Sequence, residues 1–181
     1  MIQGQKVSLR AVSRSDLPLL MEWRNQESFR QYFREYRELN MEHQENWFSK
    51  FVVGDDRTIM FSVVLNDAPH TLAGCCGLCY INWADRNADL SLYIGHQNAY
   101  IDQEGLAEEA CRLLFSYGFG ELGLHKIWTE IYEFDTPKKD LYTQLGFHQD
   151  GLLREQYFHR GRWWNARILS LLASEYPLAA E

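Results

Sequence analysis

Residues 6–12 alternate between polar and apolar side chains, the period of a half-buried strand. Ser15-Asp16-Leu17-Pro18 then supplies a capping side chain and an early proline, so a helix is expected from there to about Asn25. Two more helical pieces are expected over 29–33 and after Asn40, where Trp47, Phe48, Phe51 and Val52 recur at helical spacing. β-rich runs over 58–65 and 72–83, joined by the turn-forming Asn66-Asp67-Ala68-Pro69, predict an antiparallel pair. A third run over 88–94 leads through Gly95-His96-Gln97-Asn98 to an amphipathic helix over 106–119 with Leu106, Ala110, Leu113, Leu114 and Tyr117 inward. Another strand is expected over 126–132. Thr136-Pro137 opens a short helix that Gly146 ends, two last strands flank His159-Arg160-Gly161-Arg162, and a frayed tail is expected over 177–181.

This order predicts an α/β sandwich on a mixed sheet. With 181 residues, 46% of them hydrophobic, one sizeable core can be buried, and the expectation is one domain over 1–181. The net charge of −7, from 18 Lys+Arg against 25 Asp+Glu, disfavours nonspecific binding to nucleic acid or an anionic membrane. Cys75, Cys76, Cys79 and Cys111 lack the paired spacing of a zinc site and read as free thiols of a reducing compartment. The N-terminus has no apolar secretory core and no stretch nears the ~20 apolar residues of a membrane span, so a soluble cytoplasmic protein without a metal is expected.

Candidate chemistry lies in the second half. Gly105-Leu106-Ala107-Glu108-Glu109-Ala110 starts a helix directly after a strand and loop, and unpaired N–H groups at such a start can hold a pyrophosphate without a basic side chain. Downstream, Leu141-Tyr142-Thr143-Gln144-Leu145-Gly146-Phe147 carries an aromatic hydroxyl on a short helix.

These segments, with Ala88-Asp89-Leu90-Ser91-Leu92-Tyr93-Ile94, Tyr117-Gly118-Phe119, Leu122-Gly123-Leu124-His125-Lys126-Ile127 and Gly151-Leu152-Leu153-Arg154, resemble the GNAT superfamily of acyl-CoA N-acyltransferases from Val7 to Leu172. The resemblance implies the GNAT fold, a mostly antiparallel mixed sheet flanked by helices on both faces. It also implies acetyl-CoA as co-substrate and direct attack by a primary amine. The family cradle, Arg/Gln-x-x-Gly-x-Gly/Ala, falls on Asp102, Gln103, Glu104, Gly105, Leu106 and Ala107; Gly105 and Ala107 fit it and Asp102 does not. Asp102 and Glu104 place carboxylates near a pyrophosphate site, which backbone donors serve if both side chains face solvent.

By the same resemblance, the main chain of Leu92, Tyr93 and Ile94 orients the pantetheine arm, Asp135 stands where an Asn is usual, and Lys138 is a candidate for CoA phosphates. Tyr142 matches the general acid and Asp89 a carboxylate that relays the proton of the amine; Glu22, Glu42, His43 and Tyr80 compete for the second role. Trp23, Arg24, Arg30 and His43 resemble the acceptor side of N-acetyltransferases acting on nucleotide-linked amino sugars. A polyamine or a protein N-terminal amine is the alternative acceptor, and a GNAT-fold binding module without catalysis stands beside both. Exposed strand edges near the C-terminus are the pairing surface of an expected homodimer.

Overall fold

A computed structural model describes residues 1–67 and 69–177; Ala68 of the expected turn and residues 178–181 of the expected tail lie outside them. The first strand, β1 (Ile2–Gln3), is too short to leave a periodic signal, and β2 (Val7–Ala11) is the alternating segment. β3 (Ile59–Leu65), β4 (Leu72–Asn82) and β5 (Asn87–Ile94) follow, and β6 (Lys126–Tyr132), β7 (His148–His159) and β8 (Arg162–Leu172) complete an eight-stranded sheet in the order β1-β2-β3-β4-β5-β6-β8-β7. Every pairing is antiparallel except that of β5 with β6.

The helices are α1 (Leu17–Asn25), α2 (Glu27–Arg30), α3 (Met41–Trp47), α4 (Leu106–Phe115) and α5 (Thr136–Gln144). Both α3 and α4 continue as a π-helical turn, over Phe48–Val53 and Ser116–Glu121. The expected helix over 29–33 is displaced towards the N-terminus, because the backbone amide of Gln26 folds back on the Trp23 carbonyl and starts α2 two residues early. At the start of α1, the carboxylate of Asp16 caps the chain through the amide of Ser13 (2.9 Å) and is gripped by both terminal nitrogens of Arg10 (2.7 Å each).

Strand alternation decides what each face carries. On β5, Leu90 and Leu92 share a face with Leu78 of β4 and the core residues Ala110, Leu114 and Phe115 of α4, whereas Asp89, Ser91 and Tyr93 point towards α1 and the segment after α2. Leu9, Leu20, Phe29, Leu92, Leu114 and Ile127 are fully buried, each worth about 1.5–3 kcal/mol of transfer free energy. Gly95 is required by close approach: a Cβ there would fall 1.8 Å from the Trp23 ring.

Candidate active site

The parallel pair at the middle of the sheet is brief. Asn87, Ala88 and Asp89 face Lys126, Ile127 and Trp128, and beyond Asp89 the two strands part, β5 staying with β4 and β6 staying with β8. Across the opening seam the Thr129 hydroxyl donates to the Leu90 carbonyl at 3.3 Å. Amide direction alternates along a strand, and the Ile94 N–H turns away from β4 to the Tyr100 carbonyl (2.8 Å) while that of Gly95 goes back to Ala73. The main chain of Leu92 therefore faces the seam, that of Tyr93 faces β4, and the Ile94 N–H is already engaged.

On the α4 side of the seam, a cleft of about 450 Å³ lies between the start of α4 and α5, lined by Gln103, Gly105, Thr136, Asp140 and Gln144 among others. Gly105 takes φ +88°, a left-handed turn suited to glycine, and opens α4 with Leu106 and Ala107 in its first turn. The Asp102 side chain does not face solvent. It folds back over the helix start and accepts from the amides of Glu104 (2.9 Å), Leu106 (2.8 Å) and Ala107 (2.7 Å), because a carboxylate two to five residues upstream is the nearest anion for those donors. Glu104 is exposed, and its carbonyl accepts from the Lys6 ammonium, a cation that reaches the cradle from the bend just before β2.

Asp89 and Tyr142 come from two elements, β5 and α5, near enough for the charge of one to act on the other. Asp89 sits at the last paired position of β5, and its Oδ1 has no hydrogen-bond partner among the described residues; the same holds for the fully buried Tyr142 hydroxyl on α5. Burial pushes the Asp89 carboxyl up to about 6, against the opposing pull of Arg34, whose Nη1 lies 3.2 Å from Oδ2. Burial also raises the Tyr142 phenol well above its usual range, with the Cys111 thiol, Asp135 and Asp89 adding to it. Two buried proton-handling groups with a free polar atom each are costly to a fold and useful to a reaction.

Asp135 is buried and committed to structure. Its carboxylate accepts from the Tyr100 hydroxyl (2.7 Å) and from the Lys138 amide (3.2 Å), capping α5 ahead of Pro137. Lys138 is turned away from the cradle: its ammonium lies 5.3 Å from the centre of the Tyr100 ring, in the cleft that holds Asp89, and burial lowers its pKa against the pull of Asp135 and Asp89.

The four residues expected at the acceptor do not all converge: Arg24 and His43 border one cleft of about 360 Å³ beside α3, and the other two lie apart from it. Trp23 packs edge-on against Tyr93 beneath Gly95 and is buried. Arg30 lies 3.8 Å from Glu38, and the His43 ring caps α3 by accepting from the Asn40 amide (3.2 Å). Arg24 alone borders the cleft beside Asp89, with its guanidinium over the Phe33 ring at 4.9 Å. That cleft, about 280 Å³, is instead formed by Tyr32, Arg34, Tyr80, Asp89, Glu130 and Tyr132 with their neighbours. Tyr80 enters it at a bulge of β4 between Cys79 and Asn82, where its φ is +51°. Arg34, Glu130 and Lys6 were missed by sequence reasoning. Glu130 alone had a signal, as a polar position on the strand that follows the cradle helix.

The two clefts, on either side of a seam towards which the Leu92 main chain is turned, fit a long thioester donor entering from the α4 side and an amine arriving from the other. Comparison with known proteins gives the family. Residues 6–148 match the family model described as an acetyltransferase (GNAT) domain. Spermidine N(1)-acetyltransferase of Vibrio cholerae serotype O1 is 27% identical over 173 residues, 96% of each chain, and that of Escherichia coli strain K12 is 26% identical over 97% of this chain and 91% of its own. The crystal structure of spermidine N-acetyltransferase from Vibrio cholerae in complex with CoA and spermine superposes with a TM-score of 0.84 at 27% identity, covering 94% of this chain and 97% of that one. These relatives lend no support to a nucleotide-linked amino sugar as acceptor; their names favour the polyamine alternative. The chain belongs to the GNAT acetyltransferases and is an acyl-CoA-dependent N-acetyltransferase.

Proposed function

We propose that this enzyme transfers the acetyl group of acetyl-CoA to a primary amine of a polyamine, with Asp89 as base and Tyr142 as acid. The observation that carries the roles is the pair of unpartnered buried atoms, Asp89 Oδ1 and Tyr142 Oη. The polyamine reading is supported by the names of full-length relatives and by the carboxylates Asp89, Glu130 and Glu35 around the acceptor cleft, which suit a cation with several charges.

In this reading the ammonium of the acceptor gives one proton to Asp89, and the freed lone pair attacks the thioester carbonyl carbon. The C–S bond then breaks and the thiolate takes the phenolic proton of Tyr142; the second proton that nitrogen loses as the amide forms replaces the one Tyr142 gave, and Asp89 passes its own proton to solvent. Burial disfavours charge on sulfur and on the phenolate alike, so proton transfer accompanies C–S cleavage rather than following it. The backbone of Leu92 orients the donor, while Gly105, Leu106 and Ala107 offer amides to the pyrophosphate once Asp102 yields them. The β7 edge, where Leu152, Leu153 and Phe158 are exposed, is the surface on which self-association is expected.

The test is release of free CoA thiol from acetyl-CoA in the presence of spermidine, spermine or a simple monoamine. Saturable release with the polyamines, and a far weaker response to the monoamine, is expected. Equal rates with all three would remove the polyamine from this reading.

A further inference from the structure

Arg34 lies in the irregular segment between α2 and α3, yet its guanidinium reaches across the acceptor cleft to both walls of the seam. Nη1 is 3.2 Å from Asp89 Oδ2 on β5, and Nη2 is 3.6 Å from a Glu130 carboxylate oxygen on β6. Asp89 and Glu130 are largely shielded from water, whereas the Arg34 side chain is 47% exposed. A shielded carboxylate pair needs a cation, and this cation is tethered at the solvent side of the pair, where a change of side-chain rotamer is enough to withdraw it.

We infer that Arg34 is a built-in occupant of the ammonium site of the acceptor, and that a cationic amine binds by exchanging with it on Asp89 and Glu130. The inference borrows from the proposed function only that the acceptor arrives as a cation. Exchange leaves the charge of the seam the same in both states: the guanidinium offsets one of the two negative charges before the amine arrives, and one ammonium does so afterwards. A monovalent amine must displace a tethered competitor with one charge, while a polyamine has further charges for Glu35 and the cleft rim. Arg34 thereby selects for multiply charged acceptors without touching the reacting atoms.

The test compares Arg34→Ala and Arg34→Lys with the unsubstituted chain at pH 8.5, chosen to favour the ionised form of Asp89. Binding of spermidine and of guanidinium chloride is followed by calorimetry, alongside KM for the amine. Arg34→Ala should bind spermidine at least fivefold more tightly and acquire a saturable guanidinium site that spermidine empties; Arg34→Lys should behave like the unsubstituted chain. Where the unsubstituted chain binds spermidine, binding that is unchanged or weaker in Arg34→Ala would overturn the inference, and so would guanidinium that fails to bind Arg34→Ala. If guanidinium binds Arg34→Ala alone while no variant binds or acetylates spermidine, the polyamine reading falls and the role of Arg34 stands. Should Arg34→Ala not fold, Arg34→Gln offers the same comparison with the side-chain bulk retained.

Discussion

The Asp102 carboxylate accepts from the Ala107 amide at 2.7 Å, which places a residue of the protein on donors that a CoA pyrophosphate would need. Ligand and side chain therefore compete for one set of amides. Replacing Asp102 with Asn weakens the competitor, since a neutral amide oxygen gains less from the helix start than a carboxylate does, by about 1 kcal/mol. Acetyl-CoA should bind Asp102→Asn about fivefold more tightly by calorimetry, with a slight fall in melting temperature from the weakened cap. Weaker binding would mean that Asp102 supports the cradle rather than occupying it.

Tyr142→Phe separates chemistry from packing. The hydroxyl it removes is buried and has no partner among the described residues, so the variant should be as stable as the parent or more so. Its kcat should nonetheless drop by about two orders of magnitude, the ordinary contribution of a positioned acid. A drop in both stability and rate, in equal measure on thermal denaturation and turnover assays, would assign the tyrosine to the core alone.

Asp89 gives a pH signature. With its carboxyl raised to about 6, it is protonated and idle below that pH and ionised above it, so kcat/KM should climb with pH through about 6 and level off. Asp89→Asn should lower the plateau about a hundredfold and erase this limb. A limb that persists in the variant belongs to another group.

The fold itself has an acid-sensitive anchor. Burial alone would raise the Asp16 carboxyl, but Arg10, the Ser13 amide and the Ser62 hydroxyl hold it at about 2. A depressed folded-state value stabilises the protein above the unfolded value near ~4, by about 2 kcal/mol, and this is lost as pH falls through about 2. Urea unfolding of Asp16→Asn at pH 7 should show at least that loss, and the gap to the parent should close in acid.

How far the residues announce this arrangement depends on the range over which each contact acts. Strands β2 to β8 and helices α1, α4 and α5 follow from periodicity, caps and turn residues, all of which are local. Tyr142 and Asp89 could be singled out because each stands within a short recognisable frame. Arg34 could not, since it lies in a stretch without period and meets Asp89 from 55 residues away. Lys6 reaches the Glu104 carbonyl across 98 residues. Trp23 illustrates the opposite limit: a helix tryptophan fits an acceptor wall or the core equally well, and only the bare backbone at Gly95 decides that it turns inward.

The three paired residues between β5 and β6 divide the molecule along its own sequence, since all strands on one flank precede residue 95 and all those on the other follow residue 125. Mechanically this is a book with two covers and a short spine, and α4 is the connection that carries the chain from one cover to the next. Donor and acceptor are read on opposite sides of the same spine, so any change in the angle between the covers alters both clefts together. Such a molecule is also a natural candidate for being cut in two near Gly123 and reassembled from its halves, with acetyl-CoA favouring the closed book.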